Sequence, residues 1–193
     1  MRILGIDLAA KENNITGVCL MENFFCKVMT IHTDIEILSV VNEFKPKLLA
    51  VDAPLSLENR KCDIMLKKYG AMPLKVKSIR ELAVRAINLV SEIKIDKRIK
   101  VIEVFPTATA KILRIYDKKF KSRLENLMNF VELDSKCLLS DDEFDAFMCS
   151  FTGLLFQKKL AIGVGDSFGK IYIPKEDKLS SCYELLKQIE IEV

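Results

Sequence analysis

Apolar residues fall along this chain in runs whose spacing separates strands from helices. Arg2–Leu8 is a short, nearly continuous apolar run and reads as a buried strand. Ile15–Met21 and Phe24–Ile31, rich in Val, Ile, Phe and Thr, follow at hairpin distance, so the chain opens with three sequential antiparallel strands. Thr33 with Glu36 makes a capping box. The helix it starts carries Ile37, Leu38, Val41 and Phe44 on one face and stops before Pro46. Leu48–Asp52 is an apolar strand ending in an acid. The order so far is β-β-β-α-β.

The next forty-five or so residues do not read as sheet. Ser56 opens a short helix ending near Gly70, Ala71–Lys77 is a loop, and Ser78 with Glu81 caps a longer helix whose inward positions are Ile79, Leu82, Ala86, Leu89 and Ile93. Lys100–Phe105 is a fifth strand, closed by Pro106. Thr107 caps a helix through Tyr116, and Phe120–Phe130 is a further helix. Ser140 with Glu143 caps a strong helix from Asp141 to about Gln157. Ala161–Val164 and Lys170–Ile173 are short strands, and Lys178–Ile189 is a closing helix. Neither an internal repeat nor a linker interrupts this order, so 1–193 is expected to be one domain with a helical insert over about 55–98.

Composition narrows the class. The chain has 193 residues, of which 50% are apolar and 30% charged, which excludes a disordered chain. Phe147–Phe156, the longest nearly apolar run, is far below the ~18 residues of a spanning helix. An acid at position 7 arrives too early for a secretory apolar region. The six cysteines include no C-x-x-C pair, and His32 is the one histidine. That argues against a structural zinc site and a Ser-His-Asp triad, and for core cysteines of a reducing compartment, with a cytoplasmic location expected and no membrane partner.

The informative residues are acids in apolar settings. Asp7 lies within the first strand, Asp52 ends the fourth, and Glu103 sits inside Val101-Ile102-Glu103-Val104-Phe105. Carboxylates with apolar neighbours on both sides are costly unless paired or metal-bound. Asp142 and Asp145 share a helix face that continues through Ala146, Cys149 and Gly153. Those small residues let the helix lie close to a sheet and aim its carboxylates at the strand ends. Convergent carboxylates suit a hard divalent cation, and two such ions can clamp the attacking and leaving oxygens of a phosphodiester. Asp7 and Asp52 are therefore expected on adjacent parallel strands, faced by Asp142 or Asp145. The ordinary alternative is helix capping for Asp141 and Asp142 and strand-end solvation for Asp52.

These residues resemble the RNase H-like superfamily. Within it, the Gly5-Ile6-Asp7 strand and the helix with Asp142 and Asp145-Ala146 look like RuvC-type resolvases. More narrowly, the chain is similar to the family named domain of unknown function 429, whose members are predicted nucleases. The carrying segments are Gly5-Ile6-Asp7-Leu8-Ala9 with Thr16-Gly17, Val51-Asp52-Ala53-Pro54-Leu55-Ser56, Arg60-Lys61-Cys62-Asp63, Glu103-Val104-Phe105-Pro106-Thr107-Ala108, Asp141 to Cys149, and Gly165-Asp166 leading to Ile171-Tyr172-Ile173-Pro174. The resemblance implies an α/β fold with a mixed five-stranded sheet in β-β-β-α-β-α-β-α order, flanked by helices, with the insert after strand four and a C-terminal extension. It also implies a metal-dependent nuclease using Mg²⁺ or Mn²⁺. Catalytic candidates are Asp7, Asp52, Glu103, Asp142 and Asp145; Asp7, Asp52, Asp142 and Asp145 are the metal ligands. Asp52 stands where RuvC-type enzymes place a Glu, and Glu103 is a candidate to compensate for its shorter reach.

Charge adds a partner. Leu57–Arg80 holds seven basic and two acidic residues, a local +5 in a chain of +3. A basic insert right after a catalytic-type strand suits a phosphate backbone, whether DNA or RNA. Arg60, Lys67, Lys68, Lys77 and Lys111 are the substrate-binding candidates; a solvated lysine surface is the ordinary alternative. Arg60 and Asp63 also read as groups supporting the acids. Two other functions compete: an actin-like nucleotide or phosphate binder, disfavoured by the glycine-free loop Ala9–Asn14, and an RNase H-fold interaction protein without catalysis. The pattern leaves monomer and homodimer both open.

Overall fold

The computed structural model describes residues 1–94, 99–133 and 139–192. The opening strands are β1 (Arg2–Asp7), β2 (Thr16–Glu22) and β3 (Phe25–Ile31), followed by helix α1 (Asp34–Phe44) and β4 (Leu48–Asp52). Then come α2 (Lys61–Met65), a 3₁₀ turn (Lys67–Tyr69), α3 (Lys77–Ile93), β5 (Lys100–Val104), α4 (Pro106–Ile112), α5 (Phe120–Met128) and β6 (Glu132–Leu133). The chain closes with α6 (Asp141–Gln157), β7 (Ala161–Asp166), β8 (Gly169–Pro174), a second 3₁₀ turn (Glu176–Lys178), α7 (Leu179–Leu186) and β9 (Glu190–Glu192).

The strands form one sheet in the order β6-β9-β3-β2-β1-β4-β5-β8-β7. Its centre is the expected five-strand core: β1 runs antiparallel to β2 and parallel to β4, and β4 is parallel to β5. The sheet is wider than that core. The β7–β8 hairpin extends it beyond β5, and β9 with β6 extends it beyond β3. The closing helix accordingly ends at Leu186, where the last residues turn into strand β9.

Two boxes cap helices as expected. Thr33 Oγ1 accepts from the Glu36 amide at the start of α1, and Ser140 Oγ accepts from the Glu143 amide at the start of α6. The box expected at Ser78 and the cap expected at Thr107 are absent. Helix α3 starts one residue before Ser78, with Val76 as its cap, and α4 starts at Pro106, whose fixed φ suits a first helical position.

Alternation along β1 and β4 sorts side chains onto two faces. Leu4, Ile6, Leu49 and Val51 meet Ile37 and Val41 of α1 and Ala86, Leu89 and Val90 of α3. Thus α3, read from sequence as part of an insert, covers the sheet as a core helix. Ile3, Leu48 and Ala50 face the other way, onto Ala146, Phe147 and Leu154 of α6.

Helix α6 lies unusually close to the sheet because β1 and β2 present glycines to it. A Cβ on Gly5 would sit 2.4 Å from the Ala146 carbonyl oxygen and 2.5 Å from the Ser150 nitrogen. One on Gly17 would meet the Asp142 carbonyl oxygen at 2.0 Å. At this distance Ser150 Oγ donates to the Cys19 carbonyl at 2.8 Å, fixing the helix along the strands. Gly5→Ala is therefore expected to push α6 off the sheet at a cost of about 1–3 kcal/mol, as other overpacked sites do. Urea denaturation of the variant measures this; unaltered stability would mean that the helix moves away at no cost.

Candidate metal and nucleic-acid site

Asp7 and Asp52 are the last residues of β1 and β4 and are register partners across the parallel pair. Alternation puts both on the α6 face, with Ile3, Leu48 and Ala50 behind them. Gly17, opposite Asp7 on β2, lies against the backbone of Asp142. The first turn of α6 is thereby held over the end of β1, and Asp145 follows one turn along. A groove of about 530 Å³ beside them is lined by Asp7, Asp142, Ala9, Asn13 and Asn14.

Electrostatics bind these acids into one group. Burial, then the charges of Asp145, Asp142 and Asp141, hold the Asp7 carboxyl well above the usual range. Burial, then Asp7, Asp145 and Glu103, do the same to Asp52. Asp145 is pushed up to about 6 by burial, against the nearby Arg123 charge. Asp142 is raised more modestly, again chiefly by burial.

The donor set is made of carboxylate oxygens, the type hard cations take. Cys149 lies one turn beyond Asp145 and donates to the Ile6 carbonyl at 3.5 Å. Burial and the Asp52 and Asp7 charges raise its thiol well above the ordinary value, which keeps it a neutral packing group. Among the described residues, no three or more His, Cys, Asp or Glu side chains are already gathered as a closed metal cage.

Glu103 does not join them. Its register partner is Val51, so it points to the face opposite Asp52, although its charge still acts on Asp52. There Arg60 Nη1 donates to both Glu103 oxygens, at 2.7 and 2.6 Å, and the Leu55 amide donates at 3.1 Å. Arg60 Nη2 also donates to Asp63. Burial pushes Glu103 up to about 7 against the pull of Arg60. Burial opposes the Arg60 charge as well, but Asp63 and Glu103 outweigh it and hold its pKa above the ordinary value. Glu103, expected to be catalytic, and Arg60, expected to meet substrate, are thus paired with each other in a buried ion-pair latch. It ties the insert to β5 and to the segment leaving Asp52. Two adjacent motifs carried matching charges, but only the pairing of β4 with β5 shows that they meet.

The lysines divide. Lys67 is exposed; Lys68 is exposed near Glu176 at 3.9 Å; Lys77 is 91% exposed near Glu81 at 3.8 Å. Exposed pairs of that length leave the cations available. Lys111 is committed, donating to the Tyr69 carbonyl at 2.9 Å and lying over the Tyr116 ring.

Two arginines were not singled out from sequence. Arg123 on α5 pairs with Asp141 at 2.9 Å, lies over the Tyr116, Phe120 and Phe144 rings, and acts on Asp145. Buried Arg85 on α3 donates to the Ala9 and His32 carbonyls, each at 2.8 Å, and to Asp34 at 2.9 Å, pinning the loop after Asp7. An arginine within the apolar stripe Leu82–Leu89 was the available signal for the second; the first had none.

No family model matches the chain, and no curated protein sequence matches it. Among solved structures, it is similar to T. thermophilus RuvC in complex with a Holliday junction substrate, with a TM-score of 0.55 and 11% identity over 82% of this chain and 96% of that one. A second Thermus thermophilus RuvC structure gives a TM-score of 0.49 at 11% identity over the same shares. The first likeness, together with the 3-2-1-4-5 core order, makes the fold RNase H-like. Among the described residues, no helix is long and apolar enough to cross a membrane.

Proposed function

We propose that this protein is a metal-dependent nuclease of the RNase H-like superfamily, cutting phosphodiester bonds of nucleic acid at Asp7 and Asp52. The observation that carries the reading is the pairing of those two acids, in register, on one face. Asp7, Asp52, Asp142 and Asp145 would hold Mg²⁺ or Mn²⁺, which supplies Lewis acidity and an activated water when bound. The chain itself contributes orientation. Strand pairing fixes the two central carboxylates, the capping box at Ser140 fixes the first turn of α6, and Arg85 fixes the loop beside Asp7. The RuvC likeness and the motif resemblance to domain of unknown function 429 support this reading.

The test is incubation with labelled single-stranded, duplex and branched DNA and RNA, with and without Mg²⁺ or Mn²⁺, alongside thermal melts. Metal-dependent cleavage and metal-dependent stabilisation are expected. The absence of both would overturn the reading. A second reading, an RNase H-fold protein that binds nucleic acid or nucleotide without cutting, is favoured by the lack of a closed cage among the described residues. Stabilisation by metal with no cleavage of any substrate would select it.

Nucleic acid is the proposed partner, and the exposed lysines of the insert are its proposed contacts. Reversing charge at Lys67, Lys68 and Lys77 is expected to weaken binding and to flatten its logarithmic salt dependence by about one unit per lost phosphate contact. Fluorescence anisotropy across a salt series reads both quantities. An unchanged slope would assign these lysines to solvent.

A further inference from the structure

A second cavity, of about 150 Å³, opens at the end of β4 and β5, and Asp52 is among its lining residues. Asp52 ties it to the carboxylates, while Arg60, Glu103 and Leu82 place the rest of its lining on the α3 side of the sheet. Pro54, Met72, Ile79, Leu82 and Phe105 give it apolar walls and one aromatic surface. Arg60, Asp63 and Glu103, each no more than 7% exposed, add a charged, hydrogen-bonded network to the same lining.

Arg60 and Asp63 come from the insert, Glu103 from β5 and Leu82 from α3, so the insert completes the cavity against the sheet. The ion-pair latch holds it open at fixed width: Arg60 links Asp63 to Glu103, and Glu103 accepts from the Leu55 amide beyond Asp52. Ligand sites for drug-sized molecules span ~300–1,000 Å³. This one is smaller and takes a single flat ring system. Apolar walls with a few fixed polar groups are what an unstacked base needs, since its faces are apolar and its edge is polar.

We propose that this cavity receives one unpaired nucleobase of the nucleic acid whose backbone passes the Asp7–Asp52 pair. The proposal rests on the nuclease reading for the backbone's path. It restricts the substrate class to single-stranded or locally unpaired nucleic acid, because a base held in its duplex stack cannot enter. Met72 is 53% exposed and stands at the cavity, where a larger side chain would block it without disturbing the core.

The test is a binding measurement, independent of cleavage. Short single-stranded oligonucleotides are made with one abasic residue moved along the strand, and their affinities are read by fluorescence anisotropy without added metal and with Mg²⁺. At one position, loss of the base is expected to weaken binding by about tenfold. Met72→Trp should abolish that position dependence while leaving the affinity for the fully abasic strand unchanged, and Leu82→Phe should do the same from within. Position-independent binding by the unmodified protein, a dependence that persists in both variants, or no binding of any oligonucleotide would each overturn the proposal. Base-dependent binding by a protein that cuts nothing would keep the cavity and reject the nuclease reading, so the two failures are distinct.

Discussion

Replacing Asp7 with Asn is expected to stabilise the metal-free protein and to abolish both its response to Mg²⁺ and its cleavage of nucleic acid. The variant keeps the shape of the side chain and removes one of several like charges that raise one another's pKa. The sign follows from linkage. An acid whose folded pKa lies above its unfolded value favours the folded state at low pH, and that stability is lost as pH rises through the folded value. Removing the charge therefore helps most at neutral pH and above. Relief on the order of 1 kcal/mol corresponds to a Tm rise of about 2–4 °C for a chain of this size. Metal that binds only the folded state stabilises the unmodified protein and should add nothing to the variant. Even groups that merely orient metal ligands cost about 10–100-fold in affinity or activity when lost, so cleavage should fall by at least about 100-fold. Melts of both proteins across pH, with Mg²⁺ and with chelator, are the measurement. A less stable variant whose unmodified parent also ignores metal would assign Asp7 a structural role.

Arg60→Met should be among the most destabilising single substitutions in the protein. Arg60 is almost wholly buried and supplies the one positive charge paired with Asp63 and Glu103, themselves buried. Removing one partner of such a pair leaves uncompensated charge in a dry site, at a cost of about 3–5 kcal/mol. The loss should depend on pH with a definite sign. Burial already holds Glu103 at about 7 with Arg60 present, and without the guanidinium the carboxyl must rise further. The variant should therefore recover stability as pH falls from 8 through the folded value of Glu103 toward the unfolded value near 4.5, below which Glu103 is protonated in both states. Urea denaturation at pH 8 and pH 5 checks this. An equal deficit at both values would show that the variant suffers from lost packing rather than from stranded charge. The latch also supports the cavity beside Asp52, so base-dependent binding should fail in this variant as well.

The elements that were legible share a property: their signals are local. The Thr33–Glu36 and Ser140–Glu143 boxes satisfy helix-end amides within four residues, so each is complete in its own segment. The three opening strands, the strand ending in Asp52 and the face carrying Asp142, Asp145 and Ala146 are likewise written in periodicity. Ser78 with Glu81 had the same letters and Thr107 was a single cap candidate, yet neither caps a helix, because α3 already begins at Lys77 and α4 at Pro106. Strand β9 spans three residues and is held by pairing with β3 and β6, so little in its own segment marked it.

The candidate site divides along the same line. The sequence by itself determined which acids stand in apolar settings, and alternation within a strand determined which neighbours share their face. It also determined, through Ala146, Cys149 and Gly153, that the helix carrying Asp142 and Asp145 could approach the sheet closely; that β1 and β2 meet it with Gly5 and Gly17 came from the structure. Only the tertiary structure decided that Asp7 and Asp52 are register partners, that Glu103 points away from them, and that Arg60 closes a buried latch with Asp63 and Glu103. The reason is that side-chain period is a property of one strand, whereas register is a property of two. Shifting a strand by one residue exchanges its faces, and the hydrogen bonds that forbid the shift join residues some fifty positions apart, as Asp52 and Glu103 are.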